Sequence, residues 1–164
     1  MTVIHGFVYR MSDNAFEKLP DAFKAFYRKP ENLRKNYQIH ATLTLCCLPI
    51  DQVNKLKKIM SSDKFFGPPL EVLPTRVRKA GDEYILYDFY SQSFLDQHHK
   101  LLELLAPYLK DAFNPKYLDY SIHNIQKDYL HTYGYQRVKE FFEQHITIGK
   151  YADSSIRDAQ FETA

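Results

Sequence analysis

The stretch LEVLPTRVRKAGDEYILYDFY, residues 70–90, limits the folds open to this chain more than any other. Two strand-like runs rich in β-branched and aromatic residues flank the turn signal Ala80-Gly81-Asp82, which reads as a β-hairpin and hence as part of an antiparallel sheet. Pro74 cannot donate to a ladder, so its strand is expected at an edge or interrupted. Arg76 and Arg78 share one face of that strand.

Three further runs read as strands: TVIHGFVYR near the start, YQIHATLTLCCL ended by Pro49, and QHITIGKY at 144–151. Helical spacing fills the intervals. SDNAFEKLPDAFKAFYRK opens with a Ser/Asp capping candidate, and Pro20 is expected to divide or kink it. IDQVNKLKKIM is amphipathic, and SFLDQHHKLLELLAPYL is the clearest helix, with Ser93 as cap candidate and Leu95, His99, Leu102 and Ala106 along one side. A basic loop carrying Arg28, Lys29, Arg34 and Lys35 precedes the second strand; solvated charge is its default reading, and contact with RNA phosphates is the functional one, for it as for Arg76 and Arg78. Residues 110–143 are rich in tyrosine and are expected to hold two or three short helices, forming either an aromatic surface or extra core. The tail 152–164 is expected to be loose or to begin a further helix. Strands and helices mixed in this order give an α+β class, in one domain spanning 1–164.

A chain of 164 residues with 45% hydrophobic side chains is long enough to bury a core. Its 22 Lys and Arg against 20 Asp and Glu supply no electrostatic reason to expect long duplex nucleic acid. Cys46 and Cys47 are adjacent, a spacing that disfavours a mutual disulfide, and they read as reduced. No signal peptide or membrane span is expected, so a cytoplasmic monomer is the expectation.

Residues 40–43 read HATL and 145–148 read HITI. In each, strand alternation turns His and Thr to one face and the apolar pair to the other. A lone histidine beside an apolar run is most simply a structural residue, but with seven histidines in the chain, one such quartet by accident is uncommon and two much rarer. Two histidines at one cleft can split acid and base roles near neutral pH: a neutral imidazole takes a proton from water while a protonated one gives a proton to a departing oxygen. Threonine hydroxyls can hold the nonbridging phosphate oxygens as charge develops.

On these motifs the chain resembles the 2H phosphoesterase superfamily, with its paired His-x-Thr motifs, and in particular the bacterial RNA 2',3'-cyclic phosphodiesterases of the 2'-5' RNA ligase family. The resemblance covers roughly residues 1–151. It implies a bilobal α+β fold in which two antiparallel sheets flank a central groove, helices lie outside, and each lobe carries one motif. It also implies that His40 and His145 form the acid-base pair and that Thr42 and Thr147 contact the phosphate. His40 would be the acid for a departing 3' oxygen and His145 the base for water. The implied activity is metal-independent and cofactor-free hydrolysis of a 2',3'-cyclic phosphate or a 2'-5' phosphodiester, with a nucleotide or an RNA end as partner. A 2'-5' oligoadenylate or an RNA 3' end would serve as well, and a non-catalytic nucleotide-binding module would keep the same motifs. Two departures stand out: about 35 residues separate the long helix from His145, an insertion-like segment that would cap the groove, and the chain ends soon after the second motif.

Around the motifs, Tyr151 shares strand parity with His145 and Thr147 and is a candidate to stack a base, or else a sheet-edge aromatic. Lys150 stands where the family often has a basic residue, although simple alternation puts it on the core side. His98, His99, His123 and His131 show no metal-ligand spacing, so no metal site is expected.

Overall fold

A computed structural model describes residues 2–18, 21, 24, 39–61, 65, 70, 72–80 and 84–150. Pro20, the basic loop, the hairpin turn at 81–83, Tyr151 and the tail lie outside them. The described strands are β1 (Thr2–Arg10), β2 (His40–Pro49), β3 (Leu73–Ala80), β4 (Tyr84–Tyr90) and β5 (His145–Lys150). The helices bounded among the described residues are α1 (Asp13–Glu17), α2 (Ile50–Met60), α3 (Gln92–Leu109) and α4 (Asn124–Tyr133), with 3-10 turns at Pro115–Asp119 and Lys139–Phe141. The class is therefore α+β, as expected. The five described strands join one antiparallel sheet in the order β1-β2-β5-β4-β3, whereas two sheets were expected. No helix among the described residues is long and apolar enough to cross a membrane.

The chain forms two compact units, each built from three separate segments. The first comprises Met1–Val8, Thr42–Glu71 and Ser91–Glu143. Its core is the apolar side of α3, where Phe94, His98, Leu101, Leu105 and Leu109 recur at helical spacing and are buried together with Leu102. Each such apolar side chain contributes roughly 1.5–3 kcal/mol by leaving water. The expected stripe through Leu95, His99 and Ala106 is one residue out of phase. The cap is displaced as well: Ser91, not Ser93, accepts the Phe94 N–H. From α2 come Val53, Leu56 and Met60, and from β2 Leu43, Cys46 and Leu48. Segment 110–143 adds Leu130 and Val138 to this core, so it is packed material within the unit.

The second unit comprises Tyr9–Ala41, Val72–Tyr90 and Gln144–Ala164. The β3/β4 hairpin is its frame, with Arg76 opposite Asp88 and Arg78 opposite Leu86. Among the described strands β3 is at one edge of the sheet, and its register shifts between Pro74 and Arg76. Both consequences anticipated for Pro74 are met: a residue without an N–H is tolerated at an edge, and a bulge there also discourages edge-to-edge pairing with another sheet. β5 lies along the other side of β4, and the start of β2 pairs with β5 through Ala41 opposite Ile146.

Candidate active site

β5 lies at the centre of the candidate site. Its register sets Asp88 opposite His145, Tyr87 opposite Ile146 and Leu86 opposite Thr147. On the other flank Ala41 faces Ile146, and in an antiparallel pair one step along brings His40 opposite Thr147. Residues directly opposite share a face, so His40, His145 and Thr147 stand on one side of the sheet, with Ala41 and Ile146 on the other. His40 is diagonal to His145, a relation that separates such positions by about 7–8 Å. His40 is exposed, while His145 and Thr147 are half-buried. Thr42 follows on the same side of β2 as His40, at the point where the strand enters the first unit, and is half-buried.

The register of β5 breaks between its pairs with Ile85 and Leu86: Gly149 faces Ile85 and Thr147 faces Leu86, which leaves Ile148 as an extra residue. Lys150 stands opposite Tyr84 beyond that bulge. Alternation counted from His145 therefore does not carry through to Lys150, and the core-side position expected for it loses its basis. The signal for a bulge was Gly149, an isolated glycine within a strand pattern.

The residue missed in the sequence is Asp88. Its side chain is 11% exposed, and it accepts from Arg76 Nε at 2.7 Å and from Arg78 Nε at 2.7 and 2.9 Å. A carboxylate sunk this far is tolerated because two guanidiniums bind it by charge-assisted hydrogen bonds. Thr75, at the bulge of β3, donates its hydroxyl to the Asp88 carbonyl at 3.1 Å and holds the backbone from the edge side. Just before β5, the Gln144 carbonyl accepts from Phe89 N–H at 3.1 Å, so by the alternation of antiparallel ladders the next pair, Asp88 and His145, is of the close-set kind. Asp88 was legible in principle. It is the lone charge in YILYDFY, and a hairpin closing from Ala80 to Tyr84 brings residue 76 to residue 88 by counting back.

The face thus carries two arginines, Arg76 and Arg78, and two histidines, His40 and His145, around one carboxylate and a hydroxyl. Such a set can bind an anion and move protons on it. Two open cavities are described elsewhere, both in the first unit and neither lined by His40 or His145. One, about 550 Å³, lies beside Cys47, Pro49, Pro107 and Phe113; the other, about 510 Å³, is lined by Tyr117, Tyr120, Tyr135 and Arg137. Among the described residues no group of three or more His, Cys, Asp or Glu is arranged to hold a metal ion. No family model, no curated protein and no solved structure matches the chain.

Proposed function

We propose that this chain is a metal-independent phosphodiesterase that hydrolyses a 2',3'-cyclic phosphate or a 2'-5' phosphodiester of RNA or nucleotides. The observation that carries this reading is the shared sheet face of His40 and His145, with Thr147 directly across from His40. Neighbouring strands give the two imidazoles a diagonal separation that spans a phosphate, so one can act on the entering water and the other on the departing oxygen. In this reading His145 takes the proton from water as its oxygen bonds to phosphorus. In a 2',3'-cyclic phosphate the bond from phosphorus to the 3' oxygen breaks, in a 2'-5' diester the bond to one of the two bridging oxygens, and His40 gives a proton to the departing oxygen. Thr147 donates to a nonbridging oxygen, where negative charge grows in the transition state. The paired His-x-Thr motifs and their likeness to the 2H phosphoesterases support the same assignment.

The test is to incubate the protein with EDTA and each of the four nucleoside 2',3'-cyclic phosphates, or a short 2'-5' oligoadenylate, beside a folded His40→Ala/His145→Ala variant. Phosphorus NMR of the products reads the regiochemistry. Turnover that persists in EDTA and falls by at least about 10³-fold in the double variant is expected, since acid and base each contribute about 10²–10⁴-fold. Nucleotide binding without turnover by the wild type would replace this reading with that of a binding module.

A further inference from the structure

We infer that the cavity lined by Tyr117, Tyr120, Tyr135, Gln136 and Arg137 binds a small aromatic carboxylate whose ring carries a hydroxyl or N–H donor. None of these residues belongs to the histidine face, so such a site is independent of the phosphodiesterase reading. The cavity, about 510 Å³, lies wholly within the first unit, in the tyrosine-rich segment. Volumes of about 300–1,000 Å³ are usual for small-molecule sites. Its wall is a cluster of three tyrosines: the Tyr117 ring has its centroid 6.0 Å from that of Tyr120 and 5.8 Å from that of Tyr135, tilted by 34° and 57°. Tilted rings about 4.5–7 Å apart attract one another beyond the area they cover, so a fourth ring extends the cluster at a gain that an alkyl group lacks. Tyr120 is 55% exposed, which leaves one side of the cluster open to an incoming ring.

Two polar side chains fix what that ring must carry. Gln136 is only 5% exposed, and its Oε1 is closed to solvent without a hydrogen-bond partner. Buried acceptors in folded proteins are nearly always paired, because an unpaired one has given up its hydration with no return. The last torsion of a glutamine is soft, so the amide can turn this oxygen towards a donor that enters the cavity. Arg137 is exposed and makes no ion pair with a described residue. It is the one cation among the described residues that line the cavity, and none of them is acidic. A single guanidinium matches a carboxylate through two parallel hydrogen bonds, whereas a phosphate monoester would keep much of its charge unmatched. Burial pushes the Tyr135 hydroxyl up to about 12 although the Arg137 charge lowers it, so no phenolate competes for that guanidinium near neutral pH.

Isothermal titration calorimetry tests the site with three probes that differ by one group: para-hydroxyphenylacetate, phenylacetate without the ring donor, and para-hydroxyphenylethanol without the charge. The first is expected to bind about tenfold more tightly than either of the others, the scale of one hydrogen bond to a buried acceptor or of one charge-assisted contact. Gln136→Leu should erase the advantage over phenylacetate and keep the advantage over the alcohol; Arg137→Ala should do the reverse. Leucine in place of an acceptor without a partner removes no bond to that oxygen, and thermal unfolding checks that both variants are folded. The His40→Ala/His145→Ala variant should bind the probes as the wild type does. Absence of saturable binding, equal affinities for the three probes, or preferences that persist in both folded variants would overturn the site and leave the phosphodiesterase reading untouched. Binding lost in the double histidine variant would put the carboxylate on the histidine face and overturn it as well.

Discussion

At the scale of single residues, the chain's histidines show that identity does not disclose role. His98 is fully buried. Its Nδ1–H donates to the Leu43 carbonyl at 2.7 Å, its Nε2 accepts the Lys139 N–H at 3.2 Å, and its ring lies flat on Phe142 with centroids 3.7 Å apart. Every polar atom of the neutral ring is used, and a second ring proton would oppose the Lys139 N–H. Burial, reinforced by His99 and Lys139 and resisted by the bond to Leu43, lowers its pKa from 6.5 to about 4. A folded-state pKa below the unfolded value means that the unfolded chain binds the proton first. Stability held above pH 6.5 is then lost as pH falls towards 4, by about 2–3 kcal/mol. Urea unfolding at pH 7 and pH 4.5 should show this loss in wild type and not in His98→Gln; equal pH dependence in the two would refute it. His40 and His145 differ from His98 in one property that the sequence did carry: a threonine two residues on, inside a strand. That spacing is local, so it could be read from one segment.

At the scale of elements, boundaries were legible where a residue's backbone chemistry imposes them. Pro49 ends β2 and opens α2, and α2 spans the eleven residues of IDQVNKLKKIM. The phase of α3 was not legible, because the sequence doubles its apolar residues at Phe94-Leu95 and Leu101-Leu102, and either phase makes a continuous stripe. Packing chose the stripe through His98, whose bonds to Leu43 and Lys139 fix the helix rotation. The end of α4 depends on a single glycine. Gly134 has φ +72°, and its N–H caps the Leu130 carbonyl at 3.0 Å. A Cβ there would lie 2.7 Å from the Ala112 carbonyl oxygen, which already accepts from Cys47 N–H at 2.7 Å and cannot withdraw without losing that bond. Gly134→Ala should therefore cost about 2–3 kcal/mol, from left-handed strain plus the clash. A lowered urea midpoint at unchanged m-value would register it, and a change below about 0.5 kcal/mol would show that the turn yields freely.

At the scale of the whole molecule, what the sequence withheld was register. His-x-Thr parity follows from one strand, but the pairing of Ala41 with Ile146 joins residues over a hundred positions apart, and no local pattern encodes it. The same non-local order shapes stability. β1 and β2 each run through both compact units: β2 starts in the second with His40 and Ala41 and continues in the first from Thr42. A unit built from three separated segments, and sharing strands with the other, has no route to open that leaves those strands whole. Loss of core in the first unit should therefore appear as loss of protection in the second. Leu102, fully buried on α3, is the probe, and Leu102→Ala should cost about 3 kcal/mol. Native-state hydrogen exchange can compare the Leu105 amide on α3 with that of Phe89 on β4, which is held by the Gln144 carbonyl. If both amides lose protection by the same free energy, the molecule opens as one cooperative body, and the histidine face depends on a core to which it contributes no side chain. If Phe89 keeps its wild-type protection while Leu105 loses its own, the two units open separately, and the sharing of β1 and β2 does not couple them.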